Sequence, residues 1–342
     1  MTSTSLLGYA YPPFQNELRS SWLRRLAYAN DGNFQSFCHR LYGRTRLWLL
    51  DIDCLVDPAL ENALLNHTIA TEEAVKQTSL LSYQGSLAGN ITTGGRGRFI
   101  LPSNPLLTYP DNPGIQWCPL CLDEKDTYWR KDWRLSFVTI CTKHKCLLAD
   151  RCSDCGACAK PIRRGDLRCW RCGYDVRLHP LQSPDLGVMQ LQENLLNYLN
   201  GNITTPSESQ IEFGESHSVL TFRVLWLLMR LVSGGPKSHI LRKSIRCLVA
   251  DKQHWRVEPN VKWRVEALGV NTRHFIMVNV SLLVRDWPNA FVTACKSAKL
   301  TWSDLLRSTD ERDLPSRYRE LLLQFSHPKS PVRNPTFSAK YT

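Results

Sequence analysis

The chain has 342 residues, 43% of them hydrophobic and 11 of them tryptophan, which excludes an intrinsically disordered polypeptide and suggests two or three domains. Its 43 Lys and Arg against 31 Asp and Glu leave a net charge of +12, a balance that favours a polyanionic partner, nucleic acid first. The charge is segregated: residues 1–115 hold nine basic and nine acidic groups, 116–180 hold 13 and 8, and 181–342 hold 21 and 14.

The opening residues, through Pro12 and Pro13, read as a loop without the basic and apolar stretches of a secretory signal. Asn16 is the expected cap of a first helix reaching about Asn30, with Leu18, Trp22 and Leu26 on one face and Asn30-Asp31-Gly32 as its stop. Phe34, Phe37, Cys38 and Leu41 define a second helix ended by Gly43. Asp57 before Pro58 starts a third, with Leu60 and Leu64 buried, and Thr71 starts a fourth carrying Ala74, Val75 and Leu80. The pair near 58–66 and 71–80 suits either a helix-turn-helix or a small bundle without DNA contacts, and the neutral charge here favours the bundle. Residues 82–114, rich in Gly, Thr and Pro, read as a linking loop; Gly94 to Arg98 lacks the spacing of a phosphate loop.

Thirteen cysteines are present, nine of them between Cys118 and Cys172. Four ligand pairs follow one another: Cys118 and Cys121, Cys141 and His144, Cys152 and Cys155, and Cys169 and Cys172, each with two residues between. Such a turn sets two donors on one side of a cation, about 2.3 Å away for sulfur, and a second pair closes the tetrahedron. The spacing assigns one zinc site to Cys118, Cys121, Cys141 and His144 and another to Cys152, Cys155, Cys169 and Cys172. Both sites are filled by protein ligands, which points to structural rather than catalytic ions. Cys146 and Cys158 are spare, and Cys158 competes for the second site. Thiolates and Zn²⁺ counted by valence give about −1 and about −2, so the +5 of residues 116–180 falls to about +2. The run Tyr128 to Leu135 alternates aromatic rings with cations, and Trp129 and Trp133 are expected to pack the small module rather than stack on bases.

Beyond the cysteines, Val188, Leu191, Leu195 and Leu199 mark a helix near 187–200, and an apolar helix follows at about 218–233. Arg223 and Arg230 interrupt that stretch, so no membrane span is expected. Phe275 to Val284 fits a strand or a buried helix, Trp287-Pro288 punctuates it, and Tyr318, Leu321, Leu322 and Phe325 define the last helix. The expected fold is mainly α. It comprises a helical module and linker over 1–114, tandem zinc modules over 115–180, a helical domain over 181–326 containing a helix-turn-helix, and a loose tail over 327–342.

Three blocks resemble the TniQ/TnsD family of transposition target-selection proteins. The first is Glu17-Leu18, Ser21-Trp22-Leu23 and Arg25-Leu26-Ala27; the second is Trp117 to Leu122 followed by Tyr128-Trp129-Arg130 and Trp133-Arg134-Leu135. The third runs through Cys141, His144, Leu147 and Leu148 to Arg151-Cys152 and Cys155-Gly156. The resemblance covers about residues 10–180 and is loose beyond. It implies a non-enzymatic adaptor that couples a DNA site or an RNA-guided CRISPR effector to an AAA+ ATPase regulator and a transposase. It also implies that such adaptors often act as dimers and that the shortest members stop after the zinc block.

No G-x-S-x-G, H-E-x-x-H or Walker motif is present, and the nucleobase-deaminase pattern is incomplete, so no catalytic residue is assigned. A zinc-ribbon transcription regulator is the rival reading. Residues 223–264 carry ten basic groups against Asp251 and Glu258. Nucleic-acid contacts are therefore expected from Arg223, Arg230, Arg242, Lys243, Arg246, Arg256, Lys262 and Arg264. The neutral N-terminal module, with its aromatic helix faces, suits a protein partner, which the resemblance implies is the AAA+ ATPase regulator. No membrane partner is expected, and a reducing cytoplasm with metal-bound thiolates fits the cysteine content best.

Overall fold

The computed structural model describes residues 6–43, 50–91, 97–103, 114–159, 167–201, 218–247, 264–306 and 309–325. It is mostly helical, and its first four helices form a small bundle: α1 (Arg19–Asn30), α2 (Phe34–Tyr42), α3 (Pro58–His67) and α4 (Glu72–Gln77). Local chemistry explains most boundaries. The side chains of Asn33, Asp57 and Thr71 accept hydrogen bonds from the free N–H groups that open α2, α3 and α4, and Gly43 ends α2 in the left-handed region at φ 75°. Trp22, Leu26, Phe37, Leu60, Leu64 and Val75 fill the bundle's own core. Because α4 spans six residues and passes into a 3₁₀ turn at Leu80–Tyr83, this pair does not by itself establish a helix-turn-helix.

The first helix starts later than Asn16 predicts. Asn16 has φ 61°, and its carbonyl accepts from Lys131 N (2.7 Å), while Leu18 N donates to Trp129 O (2.9 Å). The chain before α1 is thus paired with a distant segment instead of being free to cap the helix.

A one-turn helix, α5 (Pro119–Leu122), and a minimal hairpin, β1 (Ile140–Cys141) with β2 (Cys146–Leu147), carry the first two ligand pairs, with Cys141 opposite Cys146. The remaining helices are α6 (Leu186–Leu199), α7 (Ser218–Ser233), α8 (Ser238–Arg246), α9 (Val270–Val284), α10 (Asn289–Ser297), α11 (Trp302–Leu306) and α12 (Ser316–Leu322). The β-branched run from Phe275 lies in α9, whose residues Val280 to Val284 are all buried; a helix enclosed on several sides loses the periodic polar face that identifies it. Short α8, α10 and α11 have no counterpart among the expected elements. No single described helix is long and apolar enough to cross a membrane.

The main core is continuous from Leu18 and Leu80, through Trp117, Leu135 and Ile140, to Val280, Phe291 and Tyr318. Polar side chains lock its parts together. Gln192 of α6, fully buried, accepts from Thr139 N (2.8 Å) and Ile140 N (3.0 Å) and donates to Ile140 O (2.7 Å). Arg273 of α9, also fully buried, donates to Ser136 O and to Gln116 Oε1, both at 2.9 Å, and Asp150 Oδ2 accepts from Val270 N at the start of α9 (2.6 Å). Arg134 is clasped by Asp51 (2.7 Å) and Asp53 (2.8 Å), tying this region to the N-terminal bundle.

His274 belongs to the same junction. Asp185 N donates to its Nε2 (3.3 Å), which leaves the proton on Nδ1 for Thr139 Oγ1 (3.0 Å). Burial lowers its pKa to about 4. The unfolded value is about 6.5, so the stability contributed by neutral His274 is complete above that pH and is lost as pH falls toward 4. Between pH 7.5 and 5 this costs about 2 kcal/mol. Urea denaturation should show a smaller acid loss for His274→Gln than for the native chain, since any metal loss is common to both. Identical pH dependence would show that His274 is not held neutral.

Candidate metal centres and basic surfaces

Cys118 lies at the start of α5 and Cys121 within it, so one helical turn sets both sulfurs on one side. The β1–β2 hairpin delivers Cys141 and His144, its tight turn taking Lys145 to φ 50°. The four donor atoms lie within 4.8 Å of one another, and the three cysteines are almost wholly buried. His144 Nδ1 stands 3.5, 3.2 and 3.7 Å from the sulfurs of Cys118, Cys121 and Cys141, and Cys121 Sγ is 3.6 Å from Cys141 Sγ. A tetrahedral zinc ion with its usual bond lengths has S···N edges of about 3.5 Å and S···S edges of about 3.8 Å. The donor set fits the ion. Hydrogen bonds from the Cys118 and Cys121 thiols, then from Cys146, hold Cys141 far below the usual thiol range, while Cys118 and Cys121 are pushed up, so without an ion one thiolate is shared among the three sulfurs.

Glu124, which the spacing argument did not find, completes the surroundings. Its Oε1 is 3.1 Å from His144 Nε2 and 2.6 Å from Lys143 Nζ. A carboxylate on the outer nitrogen keeps the proton there and aims the Nδ1 lone pair inward, the usual arrangement around a metal-bound histidine. Cys146 Sγ is 3.6 Å from Cys118 Sγ, a spare thiol against the group.

The second group gathers Cys152, Cys155, Cys169 and Cys172, again within 4.8 Å; Cys158 is not among the four. It is built from a repeated six-residue unit, Arg151 to Gly156 and Arg168 to Gly173. In each unit the closing glycine adopts positive φ, 70° and 79°, and its N–H returns to the first cysteine's carbonyl at 2.9 Å. In each, the leading arginine donates to that glycine's carbonyl, at 3.4 and 3.5 Å. These cations stand beside a centre that carries about −2 once a divalent ion is bound. A small cluster of its own, with Trp170 and Tyr174 packed against the cysteines, surrounds this group. Trp129 and Trp133 are buried and meet edge to face, 6.2 Å apart, so they serve packing.

The eight expected nucleic-acid contacts lie in different settings. Arg223, Trp226 and Arg230 form the solvent edge of α7. The guanidiniums of Arg98 and Arg230 sit over the Trp226 ring, 4.3 and 4.6 Å from its centre. Burial and then the charges of Arg223 and Arg230 lower the pKa of Arg98, the mark of cations gathered together. Arg223 pairs with Asp313 (2.9 Å), and exposed Arg264 reaches Gly97 O and Glu266, both at 3.5 Å. Lys243 is exposed and Arg246 half-buried on α8. Arg242, in contrast, is 4% exposed and donates to Val232 O (2.7 Å), so it serves the fold. Arg256 and Lys262 lie outside the described residues. Arg98 and Trp226 were missed from sequence, although the i, i+3, i+7 spacing of Arg223, Trp226 and Arg230 carries the signal.

Residues 9–148 match the TniQ family, which is involved in transposition and whose members are generally non-catalytic. The match encloses the helical bundle and the whole first metal group, and it ends before Cys152. A search of curated proteins finds no match to the chain.

Protein purified without added metal should carry two zinc ions per chain by elemental analysis; fewer than one in well-folded protein would refute both centres. Structural zinc contributes roughly 10–16 kcal/mol, comparable with the stability of a whole domain. Cys118→Ser should therefore lose one ion and abolish the main unfolding transition. Cys169→Ser should lose one ion yet leave that transition, because its group has a separate cluster.

Proposed function

With the TniQ domain of residues 9–148 as premise, we propose that the protein is a non-enzymatic target-site selection adaptor of DNA transposition. It links a DNA site or an RNA-guided CRISPR effector to an AAA+ ATPase regulator and a transposase. The observation that carries this reading is the family match, which takes in a metal group whose four donors all come from the protein. Four protein donors on each ion leave no open position for water, so the ions support structure rather than hydrolysis.

The labour divides along the chain. The neutral bundle of α1 to α4 takes the ATPase, and the C-terminal half, together with Arg98 packed on its Trp226, takes nucleic acid or a ribonucleoprotein. Two features support the second assignment. Arg98, Arg223 and Arg230 gather round Trp226, a combination suited to phosphates beside an aromatic ring. Helices α7 and α8 meet at 97° across a short turn containing Gly234 and Gly235, within the range of a helix-turn-helix, with Lys243 exposed on α8. That pair is our candidate for the expected DNA-binding motif.

The full chain is the proper test object, because Gln192 and Arg273 join the two halves. Arg98→Ala with Arg230→Ala should weaken duplex binding and reduce the log–log salt slope by about 1.8 if each contacts one phosphate. Pull-down of the ATPase should survive. An unchanged slope would remove the patch from the interface, and loss of ATPase capture would refute the division of labour. Sequence-specific DNA binding by a chain that captures no ATPase would favour a zinc-ribbon regulator instead.

A further inference from the structure

A groove of about 530 Å³ opens between α1 and the second metal module. One side is the face of α1 bearing Arg24, Arg25 and Tyr28, and the other bears Arg168 and Arg177, with Trp129 of the first module between. Four guanidiniums thus line the groove against one lining carboxylate, Asp175.

The arginines are held in place before any ligand arrives. Arg25 donates to Glu17 and to Pro12 O, both at 2.8 Å, and lies over the Phe14 ring at 4.1 Å. Arg177 is fixed by Asp175 (2.6 Å) and Asp123 (3.3 Å). Arg24 is 9% exposed; burial lowers its pKa to about 10, which leaves it cationic at neutral pH. Cations fixed in advance spend little conformational entropy on binding. At the rim, Tyr28 is 67% exposed, an aromatic ring left in water beside the arginines.

We propose that this groove binds a single strand of nucleic acid, with the arginines on its phosphates and Tyr28 stacked on a base. Reading the base edges of a duplex needs a protein element that enters a DNA groove, whereas this surface is concave. A cationic groove with an exposed ring is the form that suits an unpaired strand. Glu17 beside Arg25, Asp175 and Asp123 beside Arg177, and the second metal centre limit the positive potential, which favours a site for one or two nucleotides over an extended polyanion track. The proposal rests on the reading above that nucleic acid is among the partners, and it places a second contact far in sequence from the Trp226 patch.

The test uses the full, zinc-loaded chain and fluorescence anisotropy with three labelled probes: a short mixed-sequence single strand, the matching duplex, and a polyglutamate peptide. Tyr28→Ala and Arg168→Gln should each weaken single-strand binding roughly fivefold or more. Arg168→Gln should also lower the salt slope by about 0.7. Tyr28→Phe should bind as the native chain does, and duplex affinity and zinc content should not change. Because Arg168 touches its knuckle, Tyr28→Ala against Tyr28→Phe decides the matter if Arg168→Gln loses zinc. Unaltered single-strand affinity in Tyr28→Ala would overturn the proposal, as would capture of polyglutamate alone. If strand binding depends only on Arg98 and Arg230, the groove assignment fails while the adaptor reading stands. If the groove binds strands but no ATPase is captured, the groove stands and the adaptor reading fails.

Discussion

The rest of the structure depends on a junction in which side chains do the work of a missing sheet. The hairpin bearing Cys141 and His144 has two residues per strand, too few to pair its own buried peptide groups. A peptide group buried without a partner costs roughly 1–3 kcal/mol. Gln192 takes two backbone N–H groups and one carbonyl there, and Arg273 takes the carbonyl of Ser136. An apolar residue at either position would leave several such groups stranded in the core. The first ligand group is therefore supported by α6 and α9 on the backbone side, while its four donors face a position that suits an ion.

The two metal groups share ligand chemistry and differ in context. The first is continuous with the main core, so its geometry is tied to that of helices more than a hundred residues away. The second is closed on itself by a duplicated turn, each half with its own glycine and arginine. Its ties to the body are slighter, among them the Arg177 pair with Asp123. One centre belongs to the architecture of the whole molecule, and the other stabilises an appendage that forms one side of the arginine groove.

How much was legible in the sequence follows the range of the interactions. Caps such as Asp57 and Thr71, the stop at Gly43 and the four ligand pairs are set within a few residues, and all of them stand in the structure as their spacing suggested. Asn16 has the chemistry of a cap, but Trp129 and Lys131 claim the backbone around it. Arg242 contributes to charge in a count and to a helix junction in the fold, and no composition separates the two. Glu124, Gln192, Arg98 and Trp226 owe their places to contacts between segments far apart, which a single sequence does not display.

The junction also sets an order of events in time. Residues 9–148, the TniQ domain, leave the ribosome before α6 and α9 exist. At roughly 5–20 residues per second, about 6–25 s separate the synthesis of Asp150 from that of Arg273. For about the first third of that interval the hairpin has its cysteines and its histidine but neither Gln192 nor Arg273 to cover its backbone, and for the rest it still lacks Arg273. The nascent domain is consequently most exposed to proteases and to mistaken partners while the rest of the chain is being made. Its own strand pairing and the Gln116 amide, which donates to Leu135 O and Val138 O, are in place by then, and early capture of an ion would add to them.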